Sequence, residues 1–461
     1  IVMLPYFLSM LFDRDMAATV FSSLLFSFLY MASLANDFNW HLLGSLKLQL
    51  LVFVITAVTV YLLLKVNKVI LYSMVLVYFL LNTTFLLSST VFYSTEINYD
   101  GSEVFALANN STASTRPDIY LLTYDSYVNN ETMLGYGIDN SKQEEYLKSL
   151  GFKLYPSTYS LAGSTIATMS RVLDWDGISY PNGTVLMQPD GITNGKPRNG
   201  TSGNGVVNKI LKTLGYKTQG IFIGEYFFTG VGSFWDYTYP QIISPETTQF
   251  NLAKSLTLSV LEGEFRFDAQ FEDIDESEFL KMKKQTLSDK SDAPKFVYTH
   301  TGPGHTGATC QKDDVRQFQR RLYKSNIEMK QDIDSIVINN PDSIIIINGD
   351  HGPYITKNCF ILSEGHKYSK NDINRLDIQD RLGTFLAIKW PNEIDQSTDG
   401  IVVLQDVFPM IFSKIFNEPQ FMSSKYRVNT STIVTHTAGV GVKNGTILGG
   451  KNNGEKLFLS P

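Results

Sequence analysis

A basic excess is what this sequence most plainly lacks. Its 39 lysines and arginines stand against 45 aspartates and glutamates, a net charge of −6, so no nucleic acid partner is expected. Cysteine is scarce: Cys310 and Cys359 are the only two, which leaves room for one disulfide at most. From Pro117 to the end there is no repeat, no heptad series and no long low-complexity tract. Charge is also missing from long stretches before residue 95, although nearly all of it follows that point.

Ala17 to Ala35, Leu48 to Leu64 and Val69 to Tyr93 contain no charged residue, and each is long enough to cross most or all of a bilayer as a helix. Residues 1–95 therefore read as transmembrane helices, with the lipid bilayer as partner. Ile1 to Phe12 is too short to span and reads as the remnant of a helix truncated at its start, giving about five helices in all by the topology rule. The basic turn "KVNK" at 65–68 should be cytoplasmic and the acidic exit "STEINYDGSE" should face outward. The expectation is a multi-pass protein of the cell membrane whose large C-terminal part is extracytoplasmic, on the periplasmic or outer face.

"ALANNSTASTRP", residues 106–117, has the composition of a flexible connector, so residues 96–117 read as a linker and 118–461 as the globular domain. Beyond it strands and helices alternate: strands near 118–124, 217–223, 295–300, 343–348 and 384–389, and helices near 141–150, 165–174, 205–214 and 313–338. That order predicts an α/β fold with a mostly parallel sheet flanked by helices. Gly-rich stretches at 182–205 and 440–454 read as surface loops, the second as a hairpin.

In such a fold, functional groups gather at the carboxyl ends of strands. Asp125 ends "DIYLLTYD", His300 and His305 follow "KFVYT", and Asp350 and His351 end the apolar run "SIIIING". Two hard oxygen ligands and one imidazole suit a divalent cation, while a lone aspartate would read as a turn residue. "YSLAGSTIATMSRVL", residues 159–173, sets Ser164 and Thr165 at a helix start. There a hydroxyl can cap the helix, or face the backbone N–H groups that would hold a phosphate. His305, between Gly304 and Thr306, suits acid–base work or phosphate contact; His300 and His366 are further substrate-binding candidates, and His41 and His436 read as ordinary histidines. Cys310 and Cys359, five and eight residues after His305 and His351, could pair in an oxidising compartment.

"PDIYLLTYDSY", "GIDNSKQEEYLKSLGF" and "IIIINGDHGP", in this order, resemble the alkaline phosphatase/sulfatase superfamily. With apolar segments in front, the chain is most similar to its membrane-anchored branch of lipoteichoic acid synthases and phosphoethanolamine transferases. The resemblance covers most of Pro117 to about Phe416 and implies one divalent metal (Mn, Zn or Mg) on Asp125, Thr165, Asp350 and His351. It also implies Thr165 as covalent nucleophile and His305 as substrate contact, with Ser164 the alternative nucleophile. The first acid here is Asp where those enzymes carry Glu. No formylglycine pattern surrounds Ser164, and Thr301 stands where two-metal relatives carry an Asp; both favour the one-metal transferases.

The implied activity is a metal-dependent phosphotransferase that moves a phospholipid head group, of phosphoglycerol or phosphoethanolamine type, to a surface glycan or lipid acceptor. The alternatives are a sulfatase-like phosphodiesterase or phosphatase, in which water replaces the acceptor, and a non-catalytic membrane binding protein.

Overall fold

The computed structural model describes residues 16, 19–20, 54–55, 58–59, 61–62, 102–175, 184–185, 198–228, 233–241, 275–290, 293–304, 314–357, 369–394, 400–423, 433–435 and 440–460. The chain divides into two units, Ile1–Ile97 with Leu256–Phe267, and Asn98–Ser255 with Asp268–Pro461. In the first unit the described residues are all helical, and Val54, Ile55, Val58 and Leu62 expose about half of their surface. Among the described residues no helix is long and apolar enough to cross a membrane. Apart from those few residues, the three apolar runs, Ile1 to Phe12 and the 65–68 turn lie outside the described residues.

The second unit is a mixed α/β domain. Its helices are α1 (Ser102–Asn110), α2 (Asn130–Gly135), α3 (Ser141–Ser149), α4 (Thr165–Asp174), α5 (Val206–Thr213), α6 (Glu276–Ser288), α7 (Asp314–Asn339), α8 (Arg375–Leu382) and α9 (Val407–Ile415). The main sheet contains β1 (Ile119–Tyr124), β2 (Lys153–Leu154), β4 (Lys217–Phe222), β5 (Tyr237–Tyr239), β6 (Lys295–Thr301), β7 (Ile344–Asn348) and β8 (Leu386–Lys389), in the order β2-β8-β7-β1-β6-β4-β5. The strands from β7 to β5 run parallel; β8 and β2 add an antiparallel edge. A smaller sheet holds β3 (Thr184–Val185), β9 (Ile433–Thr435), β10 (Gly441–Lys443) and β11 (Thr446–Leu448). Its β10–β11 pair is the expected hairpin at 440–454.

Burial on both faces accounts for the uninterrupted isoleucines of β7. Ile344 and Ile346 enter the core on one face, Ile345 and Ile347 the core on the other, and β1 alternates in the same way. Phe318, Leu322, Met329, Ile333 and Ile336 recur at helical spacing on α7 and pack into the second core.

Two expectations need correction. The supposed linker is helical over Ser102–Asn110, with Val104 and Ala108 in the core, and Ser114 bonds to the carbonyl of Ile415 through both its N–H and its hydroxyl. Small polar residues marked the exposed face of α1, while two apolar residues four apart were enough to dock it. The 182–205 stretch is not surface throughout either, because Gly200, Thr201, Ser202 and Gly203 are buried. A Cβ on Gly200 would come within 2.6 Å of the Ser170 carbonyl and one on Gly205 within 2.5 Å of the Leu173 carbonyl, so their glycines let this turn press against α4.

Candidate metal centre

β1 lies between β6 and β7, in a register that sets Tyr124 beside Thr301 and Thr123 beside Asn348. The three strands thus end together, at the point where the order of the sheet reverses. After β1 the chain turns at Ser126, whose φ of 62° is left-handed. Asp125 is held there: its N–H donates to the Thr301 carbonyl and its own carbonyl accepts from Gly304 N–H at 3.1 Å. After β7, Gly349 lies directly on the Tyr127 carbonyl, where any Cβ would collide. That close approach brings Asp350 and His351 beside Asp125.

Asp350 is fully buried. Its Oδ1 accepts from the backbone N–H of Ser126 at 3.0 Å and of His351 at 2.9 Å, whereas Oδ2 is buried without a hydrogen-bond partner among the described residues. Burial alone would raise its pKa, but His351, His300 and the Ser126 N–H together hold it below the usual carboxylate value. His351 Nε2 lies 3.4 Å from Asp350 Oδ2 and 3.6 Å from Asp125 Oδ1. Its Nδ1 faces the Gly352 carbonyl at 2.8 Å. A carbonyl only accepts, so Nδ1 carries the proton and Nε2 keeps its lone pair.

Thr165 is the first residue of α4, and its Oγ1 stands 3.2 Å from that lone pair, to which it donates. Ser164 is the N-cap in extended conformation (φ −144°, ψ 154°), and its side chain caps nothing. The first N–H groups of α4 therefore lack a side-chain cap from Ser164.

One ligand atom each from Asp125, Asp350 and His351 fall within 4.8 Å of one another. Two carboxylates and an imidazole lone pair converging in this way fit a divalent cation, and Asp350 Oδ2 is left buried beside them without a hydrogen bond among the described residues. Asp125, Thr165, Asp350 and His351 are thus brought together. His300 is buried, 5% exposed, and is no open substrate contact: its Nδ1 meets Tyr298 Oη at 2.8 Å and its Nε2 lies 3.7 Å from Asp350 Oδ2. Burial lowers its pKa against the opposing pull of Asp350 and Asp125. His305, His366, Cys310 and Cys359 lie outside the described residues.

Three neighbours had no signal in the sequence. The Tyr354 ring stacks on His351 at 5.1 Å with an interplanar angle of 6°, and the Arg381 guanidinium lies 4.1 Å over the Tyr354 ring. Arg321, on the face of α7 near Asp125, has buried Nε and Nη2 atoms without hydrogen-bond partners among the described residues; burial lowers its pKa and Asp125 opposes the shift. A lone tyrosine after Gly-Pro, or an arginine within an amphipathic helix, carries no periodic pattern of its own.

Fold and site together define the class: an α/β domain with a candidate one-metal centre at its strand ends and a helix-N-terminal hydroxyl against it. No family model matches the chain, and no curated protein matches it by sequence. Among solved structures, it is similar to the C-terminal periplasmic domain of EcEptC from Escherichia coli in complex with Zn, at 13% identity and a TM-score of 0.41, over 66% of this chain and 84% of that one. It is similar to the integral membrane lipooligosaccharide phosphoethanolamine transferase A from Neisseria meningitidis, at 14% identity and a TM-score of 0.39, over 80% and 69%. An alkaline phosphatase superfamily protein from Vibrio parahaemolyticus is similar at 14% and 0.40, over 73% and 75%.

Proposed function

We propose that this chain is a membrane-bound, metal-dependent phosphotransferase that moves a phospholipid head group to a glycan or lipid acceptor through a phosphothreonine at Thr165. The observation that carries the reading is the Thr165 hydroxyl, 3.2 Å from His351 Nε2 at a helix start that its N-cap side chain leaves uncapped. A divalent cation on Asp125, Asp350 and His351 would lower the pKa of that hydroxyl and offset phosphate charge.

Thr165 Oγ forms a bond to phosphorus as the bond from phosphorus to the diacylglycerol oxygen breaks, and diacylglycerol leaves carrying a proton. The N–H groups at the start of α4, which the Ser164 side chain does not cap, hold the non-bridging oxygens. An acceptor hydroxyl then attacks phosphorus, the bond to Thr165 breaks, and the threonine hydroxyl is restored. His305 serves proton transfer in these steps. The apolar runs before residue 95, with exposed Val54, Ile55, Val58 and Leu62 on helical backbone, support a membrane anchor that keeps the site near its lipid donor.

Incubation of the purified protein with phospholipids labelled in either a phosphoethanolamine or a phosphoglycerol head group tests this. Diacylglycerol release with label passing to an added acceptor is expected, and label held on Thr165 when acceptor is withheld. Release of free head-group phosphate would make the chain a hydrolase, and no diacylglycerol from any donor would end the proposal.

A further inference from the structure

We propose that Tyr354 is a positioning residue that locks the nucleophile turn to the metal ligand, with its ring serving His351 and its hydroxyl serving Thr165. This rests on the reading of Thr165 as nucleophile. The phenol donates a hydrogen bond to the carbonyl of Gly163, two residues before Thr165, while its ring lies parallel to the His351 imidazole at 5.1 Å. Thr165 Oγ1 and His351 Nε2 form the second link, so the two segments are joined twice across about half of the catalytic domain's length.

The two links differ in what happens to them during turnover. The Thr165 bond does not persist, because Nε2 has a single lone pair, which a metal held by His351 would take, and the ester oxygen carries no proton. The Tyr354 bond involves no reacting atom and persists, which keeps the phosphothreonine in register for the second displacement.

Tyr354 is itself held firmly. Its φ is 58°, a left-handed value unusual for a bulky residue. The backbone that follows it is pinned by Asp380, which accepts from Ile355 N–H at 2.9 Å and from Thr356 N–H at 3.1 Å. Gly352 lies against the Asp380 carbonyl, so α8 supports the loop from both sides of the tyrosine. Arg381, 6% exposed, places its guanidinium over the ring with Nε and Nη1 buried and lacking hydrogen-bond partners among the described residues. The aromatic face is its compensating contact.

Two substitutions separate the two roles. Tyr354→Phe keeps the ring and removes the hydroxyl; kcat for head-group transfer should fall about ten- to a hundredfold, with KM and Mn2+ affinity, read by competition with a chelating dye, unchanged. Tyr354→Ala removes the ring as well, and Mn2+ affinity should also weaken by about tenfold or more. A merely structural role would move metal affinity, melting temperature and kcat together in Tyr354→Phe, and that result, or wild-type kcat, overturns the proposal. If Tyr354→Ala does not fold, Tyr354→Phe decides alone. Thr165→Ala is measured alongside: if it keeps turnover, the nucleophile reading fails and the positioning role falls with it; if it loses turnover while Tyr354→Phe does not, only the positioning role fails.

Discussion

Thr165 Oγ1 and His351 Nε2 lie 3.2 Å apart although 186 residues separate them in the chain. One belongs to the first turn of α4 and the other to the loop after β7, and the contact fixes which hydroxyl meets the carboxylate pair. Ser164, one residue earlier, has its side chain in no capping bond.

Thr165→Ala should therefore lower turnover by at least about a thousandfold, as loss of a nucleophile does, with the melting temperature nearly unchanged. Ser164→Ala should be mild. Intact-mass measurement after incubation with lipid donor and no acceptor should show the added phosphoryl head group on wild type and on Ser164→Ala, and none on Thr165→Ala. The reverse pattern would move the nucleophile to Ser164.

Removing a ligand should fail in a different way. Asp350→Asn retains an oxygen for the Ser126 and His351 N–H groups and loses the charge at Oδ2. Divalent-cation affinity should drop by about a hundredfold, and excess Mn2+ or Zn2+ should restore part of the activity. The same excess should restore nothing to Thr165→Ala. Equal rescue of both variants would count against metal ligation by Asp350.

The approach of Gly349 to the Tyr127 carbonyl sets the position of Asp350. Gly349→Ala must push two backbones apart and should cost about 1–3 kcal/mol of stability, as overpacking does, with weaker metal binding. Gly224→Ala is the control, since a Cβ there meets nothing within 4 Å. Thermal melts with and without Mn2+ would compare the two, and equal midpoints would contradict the packing argument.

Asp174, at the end of α4, provides a pH signature away from the metal. Burial raises its pKa to about 6 against the pull of Lys209 and the Val206 N–H. A carboxyl raised in the folded state binds more protons there than in the unfolded chain, so stability falls as pH rises from 3.8 to about 6. Asp174→Asn should then stabilise the protein by about 1–3 kcal/mol near neutral pH, and the gain should vanish below the unfolded value. Urea unfolding across that window would check it; a gain independent of pH would point to another cause.

Much of the domain is legible in residue order. The doubly apolar runs of β1 and β7 announce strands buried on both faces, and the polar residues at their ends, Asp125, Asp350 and His351, mark the candidate metal centre. The 3.6-residue spacing along 314–339 marks α7 as an amphipathic helix. These signals are local, because burial is written in the alternation of side chains along a single segment.

What no local pattern carries is adjacency. Period-two alternation tells that a strand is covered on both faces and leaves open which strand lies beside it, so only the order β7-β1-β6 decides that Asp125 meets Asp350 and His351. The same holds for His300, which its loop motif offered to substrate and which packing turned inward toward Asp350. It holds for Ser102–Asn110, where polar composition suggested a connector and two buried side chains made a core helix. Tyr354 and Arg381 acquire meaning only when the loop after β7 folds over α8, because stacking and cation–π contacts depend on distance and ring orientation, which residue order does not record.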